Sequence, residues 1–385
     1  MNREIKNNDP DRTGTFGKKG HELDSKASRE HIPPIECKHL WKIYGDNESQ
    51  ALSVCQTEGL DKKECFKRLG CVIGVVDASF AVEKGEIFCI MGLSGSGKST
   101  LLRHVNRLIE PTAGQVLING VDIGKLDSKE LRKLRSEKIG MVFQNMALLP
   151  HRNVRDNVGF GLEVRKIKKQ ERYEAIKRAL ELVQLSGWEN RFPSELSGGM
   201  QQRVGLARAL AADPDMLLMD EPFSALDPLI RRQLQKQFLE LSAKLKKTTL
   251  FITHDLDEAI RLGNRIAIMN DGVLVQIGTP EDIVTHPADD YVADFVAGIS
   301  RLHLVYAHTV MFPIEEYRSV HPNENLDALH KVDSIYDLDQ LVEVMAEKDE
   351  SRVAVVDDGK IAGIVTRRSL LRGIQGKSIK DLKPD

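Results

Sequence analysis

The stretch Glu86-Ile-Phe-Cys-Ile-Met91, running straight into Gly92-Leu-Ser94-Gly95-Ser96-Gly97-Lys98-Ser99-Thr100, decides the fold of this 385-residue chain. Its apolar half predicts a buried strand, its glycine-rich half a loop, and Ser99 to Leu108 a helix. The glycines let backbone N–H groups turn toward an anion, and the helix N-terminus adds its dipole. Lys98 supplies a positive charge to the terminal phosphates of a nucleotide, and the Ser99 hydroxyl is placed to ligate Mg²⁺. An α/β fold follows, with a triphosphate held at the carboxyl ends of parallel strands.

Further along, Met216-Leu-Leu-Met-Asp220 is a second apolar run, and it ends on the acidic pair Asp220-Glu221. A parallel central strand would deliver Asp220 to the metal at its carboxyl end, with Glu221 one residue further out. Asp220 then holds Mg²⁺ through water, while Glu221 polarises the water that attacks the γ-phosphate, as general base or orienting group. An Asp-Glu pair behind a strand can also do no more than cap a turn; the phosphate loop in the same chain favours hydrolysis. Thr249-Leu-Phe-Ile-Thr253 predicts the next strand, which places His254 on the same edge as a γ-phosphate sensor.

These pieces, in this order, resemble the ATPases of ABC transporters, and specifically the quaternary-amine uptake family that imports glycine betaine, proline betaine or choline. The likeness spans residues 37–300 and includes Gln50-Ala-Leu through Leu69-Gly-Cys-Val, Asn106-Arg-Leu-Ile-Glu-Pro111 and Ser224-Ala-Leu-Asp-Pro-Leu-Ile-Arg231. The resemblance implies a P-loop NTPase cassette with a RecA-like core sheet, an antiparallel β subdomain and a helical subdomain over 145–196. It makes Tyr44 the aromatic that stacks on adenine, after which Gly92, Ser94, Gly95, Ser96, Gly97, Lys98, Ser99 and Thr100 hold the phosphates. Gln144 in Met141-Val-Phe-Gln144 resembles the Q-loop glutamine, Ser224-Ala-Leu-Asp227 the D-loop, and His254 the switch histidine. Glu221, His254 and Gln144 thus form the catalytic set, and Ser99, Gln144 and Asp220 the Mg²⁺ set.

Leu196-Ser197-Gly198-Gly199-Met200-Gln201 resembles the signature motif of the family, which closes head to tail on the ATP of a second subunit. The implied unit is at least a dimer, with Ser197, Gly198, Gly199, Gln201 and Asp227 contributing to the nucleotide of the partner copy. Paired glycines permit close backbone approach, and a helix beginning near Gln201 points its positive end at the γ-phosphate. Ser197 as a plain helix N-cap is the competing interpretation, and the run Gln-Gln-Arg-Val-Gly-Leu-Ala-Arg behind it argues against that.

One cassette is present, with the phosphate loop and signature too close for a coiled-coil insertion between them. No apolar run reaches the about 18 residues of a membrane span, so a separate integral membrane permease is implied, with a solute-binding protein acting through it. The chain is expected at the cytoplasmic face of the membrane, peripherally, with Leu148-Leu-Pro-His-Arg152 as the permease contact. A cassette never touches the solute, so the betaine assignment comes by association. Two alternatives are an importer ATPase for another small solute and a nucleotide-gated clamp without transport.

With 41% hydrophobic residues and a net charge of −2, the chain buries a full core and carries no global nucleic-acid signature. Five cysteines without a Cys-x-x-Cys spacing suggest reduced structural thiols. The polar stretch up to residue 34 is expected to be disordered. Beyond residue 298 a second α+β unit begins: a linker over 299–325 with the remnant of a first CBS motif, then a single CBS-like motif over 326–385. In many such motifs an acid three positions after the threonine binds ribose, but Thr366-Arg-Arg-Ser369 offers a serine, which argues against nucleotide there. Arg367, Arg368, Arg372, Lys377, Lys380 and Lys383 against the single Asp381 suggest a patch for anionic lipid.

Overall fold

Strand β3 (Ile87–Met91), buried at every position, enters the phosphate loop, and the rest of the cassette is arranged around it. The structure is a computed structural model and describes residues 31–376, apart from 145 and 225, together with Leu382. Of the stretch up to residue 34 expected to be disordered, residues 1–30 lie outside the described residues, as do Lys377, Lys380, Asp381 and Lys383. In chain order the cassette strands are β1 (Ile35–Tyr44), β2 (Val72–Val82), β3, β4 (Ala113–Ile118), β5 (Val121–Asp122), β6 (Ile139–Val142), β7 (Met216–Asp220), β8 (Thr248–Thr253), β9 (Arg265–Asn270) and β10 (Val273–Gly278). They form a six-stranded sheet ordered β10-β9-β3-β8-β7-β6 and a four-stranded sheet ordered β2-β1-β4-β5. From β9 to β6 the strands are parallel, and β10 closes the edge antiparallel. The smaller sheet is antiparallel throughout.

Parallel strands covered on both faces read as unbroken apolar runs, which is why β3, β7 and β8 were legible. Their side chains alternate between two cores. Cys89, Met91, Leu217, Met219 and Phe251 pack with Val154, Leu180 and Val204 of the helical segment. Phe88, Ile90, Leu218, Leu250 and Ile252 pack with Ile35, Val75 and Val116 of the antiparallel sheet.

Two helix boundaries correct the sequence-based expectation. The helix behind the phosphate loop is Lys98–Val105 and stops short of Leu108, because Asn106 leaves helical geometry and Arg107 sits at φ +54. The Asn106 side chain instead accepts from the Leu108 N–H at 3.1 Å. The signature helix is Gly198–Ala211, so it begins three residues before Gln201.

Between β1 and β2 the chain inserts helices Glu48–Glu58 and Lys62–Leu69, joined through Gly59 in the left-handed region. They pack on Trp41, Ile43 and Ile73, with Cys55 and Cys65 sulfurs 3.6 Å apart. All five cysteines are free and buried.

Past the cassette, β11 (Phe312–Pro313), β12 (Lys331–Asp333), β13 (Arg352–Asp357) and β14 (Lys360–Thr366) form a sheet ordered β11-β14-β13-β12. The segment expected as linker and remnant is part of this sheet: β11 pairs with β14, and Tyr317 is fully buried. Arg352 reaches across to the Tyr317 hydroxyl at 2.8 Å and to both carboxylate oxygens of Glu324 at 3.0 and 2.9 Å. Glu281 of the cassette accepts from the Thr309 hydroxyl and lies 3.5 Å from His308 Nε2, joining the two units.

Candidate nucleotide site

Register sets the site. Met91 of β3 lies beside Thr253 of β8, and Asp220 of β7 beside Ile252, so the phosphate loop, the acidic pair and His254 leave one edge of one sheet. This is the carboxyl edge, where open α/β sheets bind ligands.

The loop itself is shaped by backbone that a side chain would obstruct. A β-carbon on Gly97, at φ +106, would lie 2.2 Å from the Gly74 carbonyl oxygen. One on Gly92, at φ +152, would lie 2.0 Å from the Met269 carbonyl oxygen. Lys98 is buried, and its ammonium donates to the Gly92 and Leu93 carbonyls at 2.8 and 2.9 Å. Burial pushes its pKa down, against the pull of Glu221 and Asp220. Ser96 is buried with its hydroxyl unpartnered, whereas Ser94 and Gly95 are exposed. Such a cradle of N–H groups with a cation at its base suits a polyphosphate.

Asp220 is fully buried; its Oδ1 accepts from the Ser99 hydroxyl at 2.8 Å, and its Oδ2 has no hydrogen-bond donor. Burial pushes its carboxyl pKa up, with the Ser99 hydrogen bond and the Arg103 charge, 3.6 Å away, pulling it down. A buried carboxylate with a vacant oxygen beside a hydroxyl is a hard-oxygen donor set of the kind Mg²⁺ takes, so the residues fit that ion. Beside it, Glu221 Oε2 accepts from Gln144 Nε2 at 3.1 Å and lies 3.1 Å from His254 Nδ1. Two residues from separate parts of the chain thus converge on one oxygen of Glu221. Glu221 adopts φ +48, a left-handed conformation that turns the chain sharply after the strand.

Tyr44 is partly exposed; its ring lies against Gly74, its hydroxyl is 3.3 Å from Thr100 Oγ1, and Lys42 Nζ is 5.0 Å from the ring centre. An open aromatic face beside the phosphate helix can take a base. The signature residues do not join this cluster: among the described residues Ser197, Gly198 and Gly199 make no hydrogen bond to the phosphate loop. Ser197 caps the helix Gly198–Ala211 by accepting from the Met200 N–H at 3.3 Å, so the N-cap role set aside above is in fact present. Gln201 reaches back to the Pro193 and Leu196 carbonyls at 3.0 and 3.3 Å. Asp227 caps the helix Pro228–Leu245, accepting from Ile230 N–H at 3.1 Å. Ser197 and Asp227 remain exposed, on surfaces open to a second molecule.

Sequence reasoning missed Arg103 and Gln202. Arg103 follows Ser99 by one helical turn, so its face was available from spacing alone. Gln202, whose amide donates to the Glu221 carbonyl oxygen at 3.2 Å, carried no such signal.

Residues 75–224 match the family described as ABC transporter, and residues 318–376 the CBS domain family. The chain is 56% identical over 265 residues to the glycine betaine/proline betaine transport system ATP-binding protein of Salmonella typhimurium, covering 69% of this chain and 66% of that relative, just under two thirds of its length. It is 44% identical over 391 residues to the glycine betaine/carnitine transport ATP-binding protein of Listeria monocytogenes, covering 90% of this chain and 98% of that one. A solved structure of the ATP-binding cassette MJ0796, a dimeric post-hydrolysis state with ADP and Pi, superposes with a TM-score of 0.56 at 31% identity, over 64% of this chain and 98% of that one. With a relative matched along nearly its whole length and the family's phosphate loop and acidic pair set on one sheet edge, this chain belongs to the ABC transporter ATP-binding proteins.

Proposed function

We propose that the chain hydrolyses ATP to energise import of glycine betaine, proline betaine or a related quaternary amine through a separate membrane permease. The observation that carries the hydrolytic part is the convergence of Gln144 and His254 on Glu221 Oε2, each at 3.1 Å. A carboxylate so held has its lone pairs directed, and can take a proton from a water aimed at the γ-phosphate. Backbone N–H groups of Gly95 to Lys98 and the Lys98 ammonium bind the phosphates, and Tyr44 stacks on adenine. Ser99, Asp220 and Gln144 would hold Mg²⁺, which supplies charge neutralisation at the phosphates when bound. His254, exposed beside Glu221, contacts the γ-phosphate.

A second copy closes over the nucleotide with its Ser197, Gly198 and Gly199, and its Asp227 lies at the same junction. The exposure of Ser197, Gly198 and Asp227 and the dimeric state named for the similar solved cassette support that arrangement. Permease contact falls to Leu148–Arg152, a loop braced by Asn157, whose side chain bonds Leu149 and Arg152 backbone at 2.7 to 3.1 Å. Among the described residues no helix is long and apolar enough to cross a membrane, and a peripheral place at its cytoplasmic face, with a solute-binding protein beyond the permease, completes the assignment. Anionic lipid would meet the end of helix Arg367–Gln375, which carries Arg372. Ser369 is buried and spent on a capping box with Thr366, which supports the view that it binds no ribose.

The test compares the native chain with Glu221→Gln. Hydrolysis should be lost while ATP traps the variant as a dimer on a sizing column, and betaine uptake by the reconstituted complex should fall with hydrolysis. Normal hydrolysis by Glu221→Gln rejects the base; an active ATPase with no effect on uptake of any quaternary amine points to another solute or to a clamp.

A further inference from the structure

The inserted helices Glu48–Glu58 and Lys62–Leu69 each begin on a charged residue, and that of the second touches the phosphate loop. Glu48 holds Lys42 Nζ at 3.0 and 2.9 Å, beside the Tyr44 ring. Lys62 donates from Nζ to the Gly95 carbonyl of the phosphate loop at 2.9 Å and lies 4.0 Å from Asp271. The position of Lys62 is not casual. A capping box between Asp61 and Glu64 fixes its helical turn, and Cys65 on the same helix is fully buried in the cluster with Trp41 and Ile73.

In a trans peptide the C=O and the following N–H point in opposite directions. Three successive carbonyls of the loop are held by donors outside it: Gly95 by Lys62 Nζ, Ser96 by the Gly272 N–H at 2.9 Å, and Gly97 by the Leu101 N–H at 2.9 Å. Anchoring those carbonyls turns the N–H groups of Ser96, Gly97 and Lys98 the other way. The Ser96 N–H turns inward and donates to the Leu93 carbonyl at 3.2 Å, closing the loop on itself. Two of the three anchors are backbone; the third is a single side chain from the insertion.

We propose that Lys62 is a positioning residue for ATP: by holding the Gly95 carbonyl it fixes the Gly95–Ser96 peptide, whose N–H closes the loop on Leu93, in the turn that presents the Gly97 and Lys98 N–H groups to the phosphates, which makes the insertion part of the nucleotide site. The proposal rests on the loop binding ATP. Its test is titration of the full-length chain with fluorescent mant-ATP and mant-adenosine. Lys62→Met keeps the aliphatic stem and loses the donor, so mant-ATP should bind about tenfold more weakly, as expected for one lost hydrogen bond from a charged group. Mant-adenosine binding should be unchanged, and Lys62→Arg should recover most of the loss. The loss should persist in about 0.5 M salt, where simple attraction between cation and polyanion is screened within about 4 Å. Equal mant-ATP binding by the native chain and Lys62→Met overturns the proposal, and so does a loss that disappears at high salt or extends to mant-adenosine. Lys62→Ala serves the same test should the methionine variant fold poorly. Failure of the native chain to bind mant-ATP at all would instead refute the ATP site itself.

Discussion

Replacing Gly97 with alanine isolates how much the phosphate loop depends on its backbone. The new β-carbon would lie 2.2 Å from the Gly74 carbonyl oxygen and 2.9 Å from Met269 Cε, inside the 3.0 Å that real β-carbons essentially never breach. Gly74 belongs to β2 and also lies under the Tyr44 ring, so it cannot yield without moving that ring. The loop must therefore withdraw, and its N–H groups lose their aim. Left-handed geometry adds about 1–2 kcal/mol for any residue with a β-carbon. Loss of one or two charge-assisted hydrogen bonds to phosphate costs about 1.5–3 kcal/mol each. A total of at least about 2.5 kcal/mol corresponds to more than about fiftyfold weaker ATP binding. Gly95→Ala is the control: Gly95 has φ +79, but its β-carbon would meet nothing within 4 Å, so only the backbone cost applies. That limits its loss to roughly thirtyfold or less. Both variants would be titrated with mant-ATP, with thermal unfolding followed in parallel. Binding by Gly97→Ala within threefold of the native chain, or equal losses in the two variants, would refute the steric argument.

Further outcomes are expected elsewhere. Asp220 has its pKa raised by burial, so the folded state holds its proton more tightly than the unfolded chain, and stability falls as pH rises through the window above 3.8. Asp220→Asn should flatten that slope in thermal scans across pH while abolishing Mg²⁺-dependent hydrolysis; an unchanged slope would remove Asp220 as its source. Arg352→Met leaves the Tyr317 hydroxyl and Glu324 without their shared cation, and because Arg352 and Glu324 are partly exposed the cost is about 1–2 kcal/mol. Calorimetry should show the C-terminal unit melting lower with ATP hydrolysis unaltered, and an undisturbed transition would mean the network contributes nothing. Glu221→Gln, which replaces the carboxylate with a neutral amide, should lose about 10²–10⁴-fold in turnover and retain ATP binding, as loss of a general base does.

Where the binding elements are contiguous, the chain could be read directly. Gly92 to Thr100 form the phosphate loop with their own backbone, and strands such as Met216–Asp220 announce their two-sided burial by composition. The small C-terminal unit was legible for the same local reason: β13, the Asp358-Gly359 turn and β14 form one hairpin, and the helix Leu338–Glu347 before them shows its buried stripe. Helix ends were less legible, because Asn106 and Ser197 act through geometry that residue type alone does not determine.

What the sequence by itself determined was the phosphate loop, the acidic pair, the parallel core strands and the family they resemble, since each depends on neighbours along the chain. Only the tertiary structure decided that Gln144 and His254 meet on one oxygen of Glu221, that residues 307–324 complete the C-terminal sheet, and that Lys62 reaches the Gly95 carbonyl. Those contacts join side chains from separate elements, and their distances are set by sheet register and helix packing, which no local pattern of residues encodes.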